Sequence, residues 1–325
     1  MEFFRKYKLP VFVFLFVSGI LSLVQIRLDP PILLAERFIR HGGWYQIGII
    51  GFYGAFLAKK MEDPASAPRW RIASWSIFSL VFFLQLALGI FVSEKFLMSG
   101  KLHLPVPALI LTGPIYRNQI SFMTLLFLST VILSGPAWCS QLCYFGAIDG
   151  LVSRGKTGRP RIQHKLPVKH TFLFLIISVT LLLRFLDLDP VFSIIAGIIF
   201  GIGGLITIFY FSRKRHKMIH CILYCPIGTL VNYLKYINPF RMYISSNCCF
   251  CSACSKVCQY DALSLADITA RKPGITCTLC GDCIASCHLD SIRYKLFRFN
   301  PSNSRYIYLF LTISLHSVFL ALAKI

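Results

Sequence analysis

Seven apolar tracts, near residues 10–26, 44–58, 72–92, 119–137, 170–186, 190–211 and 306–323, most constrain what this chain can fold into. At about 1.5 Å of rise per residue, such tracts match a hydrocarbon core about 30 Å thick, where backbone polar groups must be satisfied within their own segment. They predict an all-α polytopic membrane bundle. Composition agrees, since 56% of the 325 residues are hydrophobic and only 14% charged, more apolar than a soluble core of this size needs. The tract at 44–58 is short for a span and needs flanking residues or a locally thinned bilayer. The stretch 104–115 is also apolar, but Pro105, Pro107, Gly113 and Pro114 make it an interfacial or re-entrant segment rather than a helix. Residues 1–8 are basic and precede an apolar run without a small-residue cleavage site, which reads as an uncleaved first helix.

A formal charge of +21 raises nucleic acid as a partner. Topology accounts for it instead. With the N-terminus cytoplasmic, the segments 1–9, 59–71, 138–169 and 212–305 face the cytoplasm and hold 26 of the 34 Lys and Arg. That bias is what the positive-inside rule requires, so no nucleic-acid partner is needed. The expected location is a bacterial inner membrane, with the segment after the sixth tract facing the cytoplasm.

Two cysteine patterns carry chemistry. Cys248-x2-Cys251-x2-Cys254-x3-Cys258 and Cys277-x2-Cys280-x2-Cys283-x3-Cys287 each match the bacterial two-cluster ferredoxin run, whose fourth cysteine ligates the other cluster. Three thiolates at every third position wrap one face of a cubane while the fourth, launched on a short helix, reaches across. One [4Fe–4S] cluster is thereby assigned to Cys248, Cys251, Cys254 and Cys287, and a second to Cys277, Cys280, Cys283 and Cys258. Zinc is the competing occupant, because paired C-x2-C elements also bind it tetrahedrally. A disulfide framework is disfavoured in a reducing cytoplasm. The residue after the fourth cysteine, usually proline, is Gln259 in one run and His288 in the other, while Cys249 is left over as a bystander.

The second pattern is an internal repeat, in which Cys139-x3-Cys143-x2-Gly146 recurs 82 residues later as Cys221-x3-Cys225-x2-Gly228. On a helical turn each pair shares a face and could grip a metal or a cluster edge, with four thiols meeting at a repeat axis. The plainer reading is small residues that help helices pack.

Other features carry less. His170 and His316 are lone histidines that suit hydrogen bonding better than b-type haem, and no C-x-x-C-H motif offers covalent haem attachment. Arg184, Asp187, Asp189, Glu94, Lys95 and His103 read as solvated turns. Gly197, Gly201, Gly203 and Gly204 suit close helix packing.

The segments around Trp138-Cys139, Tyr144 and His220-Cys221, Cys225-Pro226, followed by two ferredoxin runs, resemble the NapH/NosR-type polytopic membrane ferredoxin family over roughly residues 72–295. That resemblance implies a four-helix core with two C-x3-C-P motifs on the cytoplasmic side, a two-cluster ferredoxin domain, and electron transfer between quinones and respiratory reductases. It makes the eight ferredoxin cysteines cluster ligands and leaves the C-x3-C cysteines in a motif of unsettled role. Tyr144 stands where the family has proline. The resulting division is two N-terminal helices (1–71), the membrane core (72–240), a small α+β ferredoxin-like domain (241–298) and a last helix (299–325). Two functions fit: an electron-transfer subunit exchanging with redox partner proteins or the quinone pool, and a metal reductase or maturation factor like the related oxidase-assembly ferredoxins.

Overall fold

The computed structural model describes residues 8–29, 31–97, 104–155 and 161–322. The basic residues of 1–7, His103 and the loop residues 156–160 lie outside the described residues. The chain divides into two compact units, one formed by 1–103 with 299–325 and the other by 104–298.

Six of the described helices are long and apolar enough to cross a membrane: Lys8–Arg27, Ala67–Phe91, Phe122–Leu142, Lys165–Phe185, Pro190–Arg215 and Pro301–Leu322. Such a set is consistent with a multi-pass membrane protein. Gly42–Glu62, over the second expected span, forms a 21-residue helix but does not belong to that apolar set. Its glycines, Tyr45, Gln46 and two terminal lysines dilute its hydropathy. What it lacks in side-chain bulk it recovers in packing, because Gly51 and Gly54 lie against Ser18 and Val13 of the first helix and Ser317 of the last. In the same unit His316 shares a hydrogen bond with Tyr53 at 3.0 Å.

The stretch 104–115 is corrected in part, since its second half is helical, Leu109–Arg117, with Pro114 inside. Nine residues give about 14 Å of rise, too little to cross a bilayer. Arg184 donates to the carbonyl of Ile115 at 2.8 Å, and Asp189 caps the helix that begins at Pro190 through the Val191 amide. The solvated-turn residues thus tie helix ends together.

The 82-residue repeat exists in three dimensions. Trp138–Leu142 and His220–Tyr224 are both π-helical turns, not the α-turns the spacing suggests. Each closes through an amide at its C-terminal cysteine, Cys143 N to Trp138 O (2.9 Å) and Cys225 N to His220 O (2.8 Å). That cysteine is extended in both copies and starts a nine-residue helix, Tyr144–Val152 or Pro226–Leu234. Tyr144 and Pro226 therefore occupy the same first helical position, where the backbone N–H has no intrahelical partner and proline is optional.

Two strands, Phe240–Ile244 and Ile292–Leu296, pair antiparallel with Phe240 opposite Leu296 and Ile244 opposite Ile292. Alternate residues are buried on both, as a sheet with one covered face requires. The cysteine runs lie between them. A shift of 29 residues superposes the halves, because left-handed backbone recurs at Phe250 and Leu279, Ser252 and Gly281, and Asp261 and Asp290. Left-handed non-glycine residues are uncommon, and their repetition marks one irregular loop used twice.

Candidate functional site

The eight cysteines of the ferredoxin-like segment gather in two groups. Cys248, Cys251, Cys254 and Cys287 line one cavity, together with Cys249 and His288. Cys258, Cys277, Cys280 and Cys283 lie close enough for Cys283 to feel the other three electrostatically. Each group thus takes three thiols from one run and the fourth from the other.

Backbone amides point at these sulfurs. Phe250 N donates to Cys248 Sγ (3.5 Å), Ala262 N to Cys258 Sγ (3.3 Å) and Ser291 N to Cys287 Sγ (3.3 Å). The last two are the same contact in the two halves. Such amides stabilise thiolate sulfur, and left-handed turns build the concavity that an anionic cluster occupies. Burial pushes the Cys258 thiol up to about 12 and the Cys283 thiol well above its ordinary value. Cys258 and Cys283 are therefore neutral thiols until a metal displaces their protons.

The four C-x3-C cysteines also converge. Cys139, Cys143, Cys221 and Cys225 line a second cavity, between the two π-turns. Its walls include Lys169, Asn232, Tyr260, Thr276 and Thr278. Lys169 is 1% exposed, and Asn232, with its amide oriented to satisfy its neighbours, accepts from Lys169 Nζ at 2.7 Å while donating to Ile275 O and Gly228 O. The Oγ1 atoms of Thr276 and Thr278 are buried there without a hydrogen-bond partner among the described residues. These threonines flank Cys277, so one face of the cavity backs onto the second cysteine group.

Glycines let the second π-turn sit this deep. A Cβ on Gly203 would lie 2.6 Å from Tyr224 Oη, and one on Gly204 2.9 Å from His220 Cε1. His220 is buried and held down at about 4 by desolvation, so it is neutral at physiological pH. His170, the other lone histidine considered, meets the Tyr233 hydroxyl at 2.5 Å.

The ferredoxin-like segment is fastened to the helices by buried polar contacts. Tyr260 Oη donates to Cys139 O at 2.8 Å, and Lys235 Nζ donates to Ile275 O at 2.6 Å. Asp261 pairs with Lys217 and with Lys165, whose Nζ lies 3.5 Å from Oδ2. Sequence reading missed Lys169, Asn232, Tyr260 and this ion cluster. A lysine close to an apolar span was the available signal for Lys169, but the span was placed from residue 170, whereas the helix begins at Lys165.

Comparison with known proteins matches residues 120–165 to the family model described as a 4Fe-4S binding domain. The match supports an iron–sulfur protein of ferredoxin type, and the matched residues include Cys139 and Cys143. The uncharacterized protein MJ0749 of Methanocaldococcus jannaschii is 22% identical over 217 residues, which cover 60% of this chain and 84% of that protein. No solved structure matches.

Proposed function

We propose that the chain is a membrane-bound electron carrier with two [4Fe–4S] clusters, one on Cys248, Cys251, Cys254 and Cys287 and the other on Cys277, Cys280, Cys283 and Cys258. The observation that carries this reading is the exchange of the fourth thiol between the two runs, each group completed by the other's last cysteine. Zinc in separate fingers would not call for that exchange, whereas the two-cluster ferredoxin run does. The clusters supply one-electron storage when bound. The chain supplies the thiolates, the amides that donate to Cys248, Cys258 and Cys287, and the buried contacts of Tyr260, Lys235 and Asp261 that hold the segment against the helices.

The arrangement supports exchange of electrons at the exposed rim, where Cys251 lies, and delivery inward toward the helices, where a quinone or a membrane redox partner would receive them. The charge bias toward segments 1–9, 59–71, 138–169 and 212–305 supports a cytoplasmic face for this segment in a bacterial inner membrane. The resemblance to NapH/NosR-type membrane ferredoxins supports quinone-linked respiratory electron transfer.

The second reading, reduction of a metal ion for a membrane metalloenzyme, has its own observation. Exposed Cys249 lies 3.9 Å from His288 Nε2 beside the first cysteine group, where an incoming metal ion could be caught. Anaerobic purification in detergent, with iron and sulfide analysis and electron paramagnetic resonance before and after a quinol analogue is added, separates the two. About eight irons per chain that become reduced with quinol support the carrier. Iron that ignores quinol but is reoxidised by cupric ion favours the metal reductase, and zinc in place of iron overturns both.

A further inference from the structure

Four thiols, a lysine and two unpartnered threonine hydroxyls around one cavity need an explanation that helix packing does not supply. Cysteines that merely fill space would be covered by apolar neighbours, and a well-packed core leaves few voids. Here Cys139, Cys143, Cys221 and Cys225 instead share one pocket with Lys169, Asn232, Thr276 and Thr278, between two matching π-turns. π-turns are frequent at functional sites, and the two at Trp138–Leu142 and His220–Tyr224 present a cysteine at the same two positions.

The chemistry of the lining is that of an anionic, sulfur-ligated group. The Gly146 amide donates to Cys143 Sγ at 3.4 Å, the contact that the ferredoxin-like sulfurs also receive. Lys169, almost completely enclosed, brings a cation to the wall of the cavity that the four thiols line. A buried lysine without an anionic partner is costly, and the structure provides Lys169 with an amide oxygen from Asn232 rather than a carboxylate. A cluster held by four thiolates is a net anion and supplies the missing charge.

We propose that Cys139, Cys143, Cys221 and Cys225 hold a third iron–sulfur cluster, with Lys169 as its buried counter-cation, next in line behind the cluster of Cys277. The four-thiol set is the one both [2Fe–2S] and [4Fe–4S] clusters take. Its site stands on its own residues, while its place in a relay rests on reading the ferredoxin-like segment as a two-cluster carrier. Thr276 and Thr278 form part of the wall and Cys277 lies between them, so the two centres are separated by little more than a loop. One electron leaving the second ferredoxin cluster reduces the third by one, and the order of centres then runs from the exposed rim to the membrane helices.

The test compares the wild-type protein with a Cys139→Ala/Cys221→Ala variant and a Lys169→Met variant, each purified anaerobically, by iron and sulfide content and by redox-poised electron paramagnetic resonance. The expected result is loss of iron and sulfide from the double variant, by about a third if all three clusters are [4Fe–4S], with the signals of the ferredoxin pair intact. Lys169→Met keeps the iron and lowers the midpoint potential of one centre only, because a positive charge beside it has been removed. Unchanged iron in the double variant, with ferredoxin signals present, overturns the third centre. So does copper or zinc in place of the lost iron. Should the double variant fail to fold, Lys169→Met decides, and an unaltered set of potentials sinks the proposal. Failure of the carrier reading is distinct, since it would remove the ferredoxin signals from the wild-type protein as well.

Discussion

Tyr260, two residues beyond Cys258, donates its phenolic hydrogen to the carbonyl oxygen of Cys139 across 2.8 Å. This bond joins the loop of one cysteine group to the π-turn of another, and both ends are buried. Tyr260→Phe keeps the ring and removes the hydroxyl, leaving the carbonyl without that donor. The expected cost is about 1–3 kcal/mol of stability, seen as a lower unfolding midpoint, with iron content unchanged. An unchanged midpoint would mean that the contact does not fasten the segment.

Asp261 is a buried carboxylate facing Lys217 and Lys165, in left-handed backbone (φ 52°). Asparagine tolerates that backbone and nearly matches the shape, so Asp261→Asn removes the charge and turns one of two accepting oxygens into a donor. Two enclosed lysines then lose the carboxylate they pair with. A loss of about 3–5 kcal/mol is expected, together with weaker retention of iron at the Cys258 group, measured by iron release during mild denaturation. Removing Lys217 as well, as Lys217→Met/Asp261→Asn, should recover part of the loss.

Among the cysteines of the first cavity, Cys251→Ser is expected to remove or convert one cluster, whereas Cys249→Ser leaves iron content unchanged. Cys249 sits 3.9 Å from His288 Nε2 at the exposed rim. Iron analysis of the two variants checks this, and iron lost from Cys249→Ser would mean that the ligand register is wrong by one residue.

The C-x3-C turns depend on a close approach at Gly228. A Cβ there would stand 2.8 Å from the carbonyl oxygen of Cys221, which is backbone and has little freedom to move away. Gly228→Ala should therefore displace the second π-turn, at about 1–3 kcal/mol, and disturb its cysteine pair more than it disturbs the ferredoxin-like segment. Differential loss of spectroscopic signals on that variant is the readout.

Much of this arrangement was legible because its signals are local and periodic. Apolar length fixes spanning helices, and the spacing of Cys248 to Cys287 encodes how a loop wraps and where its fourth thiol goes. The 82-residue repeat of Cys139 and Cys221 likewise survives as matched π-turns. What was not legible depends on contacts distant in sequence. Nothing local to Tyr260 says that its hydroxyl meets Cys139, and nothing near Asp261 announces lysines 44 and 96 residues away. Lys169 was hidden by a boundary effect, since a basic residue ahead of an apolar tract reads as a flank until the helix is seen to begin a turn earlier. Gly42–Glu62 shows the converse, where inward-facing glycines lower hydropathy in a helix long enough to span.

That helix gives the last prediction. At 21 residues it rises about 31 Å, enough for a hydrocarbon core of about 30 Å, although its composition alone would leave it out. The lysines at its end and the arginines of 69–71 match the basic loop that follows Val152, as expected of two segments on one side. If Gly42–Glu62 crosses, three spans precede Phe122–Leu142, and a reporter fused after Asp29 reads the opposite face from one fused after Asp63. If it lies along the interface instead, those two reporters read the same face. The C-x3-C turns and the ferredoxin-like segment would then share a side with the residues that follow the first helix, and the charge argument for a cytoplasmic site would fall.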